Sequence, residues 1–210
     1  MSEREAAHQA HSAEDWDERY SGDRVWGGEP NEALITEVTQ LGTGRALDVG
    51  CGEGADSVWL ARKGWQVTAL DISPKAVERT RAMAADASVQ VEGVAGGLLD
   101  APLVDASYDL VSAMYPALLR TPTGEAEQRL LDLVAPGGTL LVVHHADVDR
   151  EYALEHGCDP DDFVSPDDVR ALAVERDGWD VVADERRERG HVEGAGAHHK
   201  NDLVVRLRRR

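Results

Sequence analysis

Residues 47–57 read LDVGCGEGADS. The apolar residues at the start of this stretch are typical of a strand, and three glycines at alternate positions predict a tight turn after it. Such a turn, when a helix follows, usually holds a phosphate on its backbone N–H groups. This turn also carries Asp48, Glu53 and Asp56. Carboxylates repel phosphate, so the charge of the turn bears directly on which ligand it binds.

Strands and helices alternate on both sides of this stretch. Further strands are predicted at WQVTAL, VQVEGV, YDLVSAM and TLLVVHH, and most of them are separated by helices. This alternation is typical of a parallel sheet with helices on both faces. The last two predicted strands, WDVVADERRE and NDLVVRLR, are joined by a loop only and are expected to pair antiparallel. The sequence therefore predicts one α/β domain, a Rossmann-like three-layer sandwich with a seven-stranded, mostly parallel sheet and an antiparallel last strand.

The composition restricts the class of protein. The chain has 210 residues and a formal net charge of −18, from 40 acidic and 22 basic side chains. Nucleic acids and anionic membranes bind basic surfaces, so neither is an expected partner. The N-terminus is polar, so neither a signal peptide nor a membrane span is expected, and the two cysteines are too few for a disulfide framework. We expect a cytoplasmic protein.

Two classes of cofactor fit the spacing of the turn. Gly50, Gly52 and Ala55 match the dinucleotide fingerprint, and Asp71 follows at the distance of a ribose-binding carboxylate. A nicotinamide or flavin enzyme is one reading. The carboxylates of the turn would repel a pyrophosphate, whereas they favour a cofactor that has a cationic centre and no phosphate. S-adenosylmethionine is such a cofactor.

The stretch LDVGCGEGADSVWLARKGWQVTALDIS resembles the first two motifs of class I S-adenosylmethionine-dependent methyltransferases. The spacing to YDLVSA and LVAPGGTLLVV is similar to that of their later motifs, and the likeness covers roughly residues 45 to 145. Within that superfamily the chain is most similar to the small tellurite-resistance and thiopurine-methyltransferase-like enzymes. Those enzymes also have an aromatic stretch before the sheet, as WDERYSGDRVWGGEPN is here.

The resemblance implies a set of cofactor contacts. It places Asp71 on the ribose hydroxyls and Ile72 on adenine. Gly97 stands where the family usually has an aspartate for the adenine amino group, which leaves the Leu98 backbone and Asp100 to reach adenine. The remaining predicted cofactor-binding residues are Asp48, Gly50, Cys51 and Gly52 at the methionine part, Ala113 at the end of the fourth strand, and Tyr20 and Trp26 in a lid.

Histidines are expected at the edge of the sheet where the methyl donor would lie. His144 and His145 end the fifth strand, and His198 and His199 begin the antiparallel last strand, so the two pairs should converge. Alternation along a strand predicts that at most one of each pair faces the cleft. The readings are a general base or polar wall for the acceptor, polar caps of strand ends, and a metal site completed by Asp147. Tyr115 is a candidate for the same region, or else a packed aromatic residue.

Three segments of the domain are expected to differ in role. Residues 1–14 are predicted to be a disordered tail, residues 15–44 an N-terminal lid or cap, and residues 146–166 an insertion near the substrate cleft, in which Phe163 is a candidate wall. Trp16, Tyr20 and Trp26 either close over the cofactor or hold the N-terminus to the sheet.

The predicted function is methyl transfer from S-adenosylmethionine to a small-molecule acceptor. The acceptor group is either a thiol or chalcogen, or a hydroxyl or amine. The first kind needs little help from a base, whereas the second needs one of the four histidines to take its proton. The alternatives are an NAD(P)-dependent oxidoreductase on a Rossmann fold and a non-catalytic or metal-assisted S-adenosylmethionine-binding protein.

Overall fold

A computed structural model describes residues 12–155, 159–190 and 199–210. Over these ranges, seven strands form one sheet in the order β3-β2-β1-β4-β5-β7-β6. Strand β7 pairs antiparallel with both β5 and β6, and the other pairs are parallel. The predicted sheet and its antiparallel last strand are therefore confirmed. The strands are β1 Arg45–Val49, β2 Gln66–Asp71, β3 Val91–Ala95, β4 Tyr108–Met114, β5 Val134–His145, β6 Trp179–Glu188 and β7 Asn201–Arg209.

Helices cover both faces of this sheet. Leu34 and Leu60 belong to the apolar cluster on one face, and Leu130 and Val169 belong to the cluster on the other. Each of these four side chains is fully buried, so the sheet is the middle of three layers. The α-helices in the described ranges are α1 Ala13–Arg19, α2 Glu32–Val38, α3 Ala55–Arg62, α4 Pro74–Asp86, α5 Glu125–Leu133, α6 Arg150–Glu155 and α7 Pro166–Glu175.

Local sequence signals explain where some of the helices begin. The Ser73 side chain accepts a hydrogen bond from the Ala76 N–H, with Pro74 in the first turn of α4. Ser165 and Asp168 form the predicted capping box of α7. Asn31 precedes α2 as predicted but makes no side-chain capping bond, because its amide donates to Asp56 instead, at 2.6 Å.

Short helices lie in the N-terminal segment and in the predicted insertion. Ser12 caps α1 with a complete capping box, so the last two residues of the predicted tail, 13 and 14, belong to this helix. Residues 1–11 lie outside the described ranges. The predicted insertion contains α6 and a short 3₁₀ turn, Pro160–Asp162. Phe163 forms an isolated antiparallel bridge with Leu119. No helix in the described ranges has the length and apolar character that crossing a membrane requires.

Candidate functional site

A cavity of about 930 Å³ opens at the carboxyl ends of the parallel strands. Its size is at the upper end for ligand pockets, enough for a cofactor and a second small molecule. The glycine turn forms its floor, the N-terminal segment covers one side, and the ends of β4 and β5 form the far wall. The predicted site residues that line it are Tyr20, Trp26, Asp48, Gly50, Cys51, Gly52, Asp71, Ile72, Gly97, Leu98, Tyr115, His144 and His145.

Of the predicted residues that the structure describes, Ala113 and His199 fall outside this lining. Ala113 is fully buried in the apolar core, and the next residue, Met114, lines the cavity in its place. His198 lies outside the described residues. His199, its neighbour, stacks on His145, which does line the cavity.

Backbone hydrogen bonds hold the turn between β1 and α3 in shape. The N–H groups of Gly50 and Cys51 both donate to the Leu70 carbonyl, at 2.8 and 3.0 Å. Gly50, Gly52 and Gly54 all have left-handed backbone, with φ of 73°, 52° and 93°. Only glycine adopts such angles without strain, which explains the alternate spacing seen in the sequence.

Asp71 is tied to this turn. Its carboxylate accepts from the Gly52 N–H and from the Ser73 N–H, both at 2.9 Å. Burial raises the pKa of Asp71, and these two hydrogen bonds oppose that rise. Each carboxylate oxygen has a second lone pair, so Asp71 can still accept from hydroxyl groups in the cavity.

Glu53 binds the N-terminal segment. One of its oxygens accepts from the backbone N–H groups of Val25 and Trp26, at 3.0 and 2.8 Å, and the other is 2.5 Å from an Arg79 nitrogen. Arg79 also donates to the Gly22 carbonyl. The Glu53 charge is thus matched by a guanidinium and two N–H dipoles.

Asp56, in the first turn of α3, binds the N-terminal segment in the same way. Its two oxygens accept from the Asn31 backbone N–H at 2.7 Å and from the Asn31 side-chain amide at 2.6 Å. Residues 12–31, here named the cap segment, are therefore anchored by carboxylates of the glycine turn and of α3. Asp17 adds a further anchor, because its carboxylate accepts from Ser73 and Lys75 at the start of α4.

Asp48 is the most deeply placed carboxylate of the stretch. It is 2% exposed and accepts a 2.5 Å hydrogen bond from the Ser57 hydroxyl. Burial, and then the nearby Asp56, raise the pKa of Asp48 to about 7. Its protonated form is thus well populated near neutral pH. Cys51 is also buried, which raises the pKa of its thiol and keeps it protonated and unreactive.

Aromatic side chains of the cap segment close over the turn. The Trp26 indole N–H donates to the Tyr20 hydroxyl at 3.0 Å, and Trp16 stacks on Tyr20 with 5.9 Å between centroids. A Cβ atom at Gly52 would lie 3.2 Å from the Tyr20 hydroxyl and 3.3 Å from the Trp26 indole nitrogen. The cap thus rests directly against Gly52, where a side chain would be tightly packed.

The other end of the cavity offers a platform for a flat ring. Ile72 is 37% exposed although it follows a buried strand, and it faces the cavity together with Leu98. Asp100 also lines the cavity, and its Oδ2 atom lies 3.3 Å from where a Cβ atom would stand on Gly97. A carboxylate therefore occupies the neighbourhood of Gly97 although Gly97 itself has no side chain.

A stack of rings forms the far wall. His145 stacks between Tyr115 and His199, with centroid distances of 4.4 and 3.9 Å, and the Arg189 guanidinium lies 5.0 Å from the Tyr115 ring centre. The predicted convergence of the β5 and β7 histidines is thus observed for His145 and His199. Tyr115 has left-handed backbone, φ 52°, a conformation that costs a non-glycine residue about 1 kcal/mol or more.

Asp202 lies at the centre of this wall. It is 6% exposed, pairs in register with His145, and accepts from the Tyr115 hydroxyl at 2.6 Å. Its other oxygen is 3.3 Å from Arg189 Nε and 3.7 Å from His145 Nδ1. Burial and the bond to Asp202 raise the pKa of Tyr115, so its hydroxyl stays protonated.

His144 and His145 both line the cavity, against the prediction that only one of the pair would face it. These residues end β5, so side chains from both faces of the strand reach the open edge of the sheet. His144 Nδ1 accepts from the His145 backbone N–H at 3.0 Å, which places the proton of the neutral ring on Nε2. Burial and His145 lower the pKa of His144 to about 4. His144 therefore presents an N–H donor.

The described residues offer no support for the hypothesis of a metal site. Over the described ranges, no three His, Cys, Asp or Glu side chains gather in a way that could hold a metal ion. Asp147, the third ligand of that reading, is paired with Arg186.

Asp202 and Arg189 were missed by the sequence reasoning. The signal for Asp202 was available, because an antiparallel β7 that starts beside the end of β5 brings residues just after His199 opposite His145. Arg189 follows the last residue of β6 and carries no motif, so only the structure reveals it.

The comparisons with known proteins agree with this geometry. Residues 46–138 match a family model described as a methyltransferase domain. An uncharacterized methyltransferase of Mycobacterium tuberculosis is 37% identical over 112 residues, which are 53% of this chain and 56% of the relative. Ribosomal RNA small subunit methyltransferase C of Alcanivorax borkumensis is 36% identical over 105 residues, 48% of this chain and 32% of the relative. The chain thus spans about half or less of the length of these curated relatives.

Two solved structures share the fold over nearly the whole chain. One of them comes from a study of the conversion of a disulfide bond into a thioacetal group during echinomycin biosynthesis. Its TM-score is 0.74, and it is 23% identical over 94% of this chain and 92% of the other. The other is the N-methyltransferase NodS of Bradyrhizobium japonicum in complex with S-adenosyl-L-homocysteine, with a TM-score of 0.69 and 19% identity over 94% and 97% of the two chains. Residues 46–138 are therefore similar in sequence to a methyltransferase domain, and the chain shares the fold of these two solved structures.

Proposed function

We propose that the protein transfers a methyl group from S-adenosylmethionine to a small-molecule acceptor. The observation that carries this proposal is the single cavity that joins the glycine turn to the wall of Tyr115, His144 and His145. A cofactor on the turn would thus lie beside a polar wall that can receive an acceptor. In-line displacement at a sulfonium methyl depends mainly on proximity and orientation, which a shared cavity can supply.

The cofactor contacts follow from the sites available. The backbone from Gly50 to Gly52 takes the methionine part, and Asp71 accepts from the ribose hydroxyls. Adenine lies on Ile72, with the Leu98 N–H and the Asp100 carboxylate at its edge. Asp100 thereby replaces the aspartate that is absent at Gly97, since its Oδ2 atom is only 3.3 Å from the Cβ position there.

Two features favour a small acceptor over RNA. The net charge of −18 opposes phosphate backbones, and the cap segment covers one side of the cavity. The likeness to the tellurite-resistance and thiopurine-methyltransferase-like group is included in this proposal, supported by the aromatic residues that the cap segment places over the turn.

Calorimetric titration with S-adenosyl-L-homocysteine, with NADH as the comparison ligand, tests the cofactor. We expect binding of the first ligand alone, and Asp71→Ala should weaken it. Asp109→Ala is the matched control, because Asp109 lies at the opposite, amino end of β4 and bonds to the Arg45 backbone. Binding of NADH alone would show that the fingerprint spacing, and not the charge, decides the cofactor.

Incubation with labelled S-adenosylmethionine then tests the acceptor. We expect label in small phenols, thiols or amines and none in a structured RNA. Transfer to RNA alone would refute the small-molecule acceptor and leave the cofactor assignment standing. Binding of the cofactor without transfer to any acceptor would support a non-catalytic role.

A further inference from the structure

Asp202 is a buried carboxylate that has no part in the proposed cofactor contacts. It stands at the far wall of the cavity, near the start of β7, and its partners are Tyr115, Arg189 and His145. Burying a charge is costly, and a purely apolar wall would pack β7 against β5 at less cost. Tyr115, its hydrogen-bond donor, is also held in a left-handed backbone conformation. Such a combination of buried charge and backbone strain is typical of functional sites.

His144 and Cys51 are poorly placed to remove a proton from an acceptor. His144 uses Nδ1 as an acceptor for a backbone N–H and presents Nε2–H to the cavity. Cys51 is a buried, protonated thiol on the opposite side. Tyr115 donates its own proton to Asp202, which leaves lone pairs on the phenol oxygen to accept a hydrogen bond from a ligand.

We propose that Tyr115 and Asp202 form a proton relay for an acceptor that carries a hydroxyl group. This inference rests on the proposed function and narrows its acceptor. A hydroxyl oxygen must lose a proton to become a good nucleophile, whereas a thiolate or chalcogenide has none to lose. A relay of buried groups is useful only for the first kind of acceptor.

The proton and the electron pairs are all accounted for in this step. The acceptor oxygen forms a bond to the methyl carbon of S-adenosylmethionine as the carbon–sulfur bond breaks, and that electron pair stays on sulfur. The acceptor proton passes to the Tyr115 oxygen, and the Tyr115 proton passes to Asp202 Oδ2. Asp202 then holds a carboxylic acid proton, which is released to solvent when the products leave. Tyr115 is the group that touches the acceptor, and Asp202 acts through it.

A matched pair of acceptors separates this relay from a structural role. Phenol and thiophenol have the same ring and differ in the reacting atom. We expect the wild-type protein to methylate phenol, and Tyr115→Phe and Asp202→Asn each to lower kcat for phenol about a hundredfold or more. Thiophenol turnover at a pH where it is a thiolate should change little in either variant. Tyr108→Phe is the control, since Tyr108 is a buried tyrosine at the other end of β4.

The pH profile gives an independent readout. The charged and titratable groups that face the pair are Arg189 from the end of β6, His144 and His145 from β5, His199 before β7, and Asp56 from α3. If Asp202 takes the proton, the acidic limb of kcat/KM for phenol should disappear in Asp202→Asn and remain in Tyr108→Phe.

Several results would overturn the relay. Equal losses for phenol and thiophenol would show that the two residues only hold the wall together. Methylation of thiophenol but not phenol by the wild-type protein would show a proton-free acceptor. Because Asp202→Asn also removes an ion pair with Arg189, its fold is checked by thermal melting, and Tyr115→Phe, which keeps that pair, tests the relay by itself. Failure of the wild type to bind S-adenosyl-L-homocysteine would instead refute the proposed function.

Discussion

Gly54→Ala should destabilise the protein for two reasons, the left-handed backbone at Gly54 and the lack of space for an added methyl group. Gly54 has φ 93°, and an added Cβ atom would lie 2.8 Å from the Thr80 Cα atom and 2.9 Å from its Cγ2 atom. The Cα atom belongs to the backbone of α4 and cannot move aside. Thr80 also donates to the Gly52 carbonyl at 3.0 Å, so any shift of Thr80 disturbs the turn itself.

The chain offers a matched control in Gly178. Its φ is 95°, almost equal to that of Gly54, yet nothing lies within 4 Å of its Cβ position. Gly178→Ala should therefore cost only the left-handed backbone, about 1–2 kcal/mol of unfolding free energy. Gly54→Ala adds overpacking of about 1–3 kcal/mol, so its cost should be about 2–5 kcal/mol.

Urea denaturation and titration with S-adenosyl-L-homocysteine measure the two effects. We expect the unfolding free energies of the variants to differ by the overpacking cost, and only Gly54→Ala to weaken ligand binding. Equal destabilisation by the two substitutions would refute the reasoning, since it would mean that α4 yields freely to the new methyl group. Unchanged affinity in a folded Gly54→Ala protein would show that the geometry of the turn does not control the cofactor site.

Three further predictions concern charge. Glu53→Gln should release the cap segment, because it weakens the charge-assisted hydrogen bonds to this segment, and the free energy of unfolding should fall by about 2–3 kcal/mol. Hydrogen exchange at the Val25 and Trp26 amides should become faster, and unchanged exchange would contradict this prediction. Asp48 has a raised pKa, about 7 in the fold against an ordinary value near 3.8, so its contribution to stability is present below about pH 4 and is lost as the pH rises toward 7. Asp48→Asn should flatten that region of the stability curve measured by urea denaturation, and an identical curve would argue against the assignment. The His144 ring should stay neutral above about pH 4 with its proton on Nε2, which nitrogen NMR can check; a ring protonated at pH 6 would contradict the described hydrogen bond.

Much of the fold was predictable because its signals are local. Alternating strands and helices, the Ser73-Pro74 cap and the capping box at Ser165 each act over a few residues. The convergence of histidines at one edge was also predictable, since it follows from the direction of β7 beside β5. The exact facing of His144 and His145 was not, because the alternation rule describes a strand inside a sheet and these two residues end one.

Contacts between distant segments were beyond local reasoning. Asn31 looks like a cap of α2, yet its amide binds Asp56 on α3. Arg189 has no motif around it, and only the three-dimensional fold brings it to Asp202. Asp100 is different, because its approach to Gly97 is a local contact through the turn that follows β3, and the sequence had already indicated Asp100 as a residue that could reach adenine.

The carboxylates of the glycine turn and of α3 do more than set a local negative charge. Glu53 and Asp56 hold the cap segment, so their charges are compensated by Arg79, by backbone N–H groups and by Asn31. Asp48 has its pKa raised to about 7 and carries only a fraction of a charge near neutral pH. Repulsion of a pyrophosphate by the turn is thus weaker than three full charges imply.

The cap adds a steric reason, because Tyr20 and Trp26 lie against Gly52, where the dinucleotide fingerprint needs open space for the pyrophosphate. Selection against a dinucleotide therefore depends on the segment that these carboxylates hold in place.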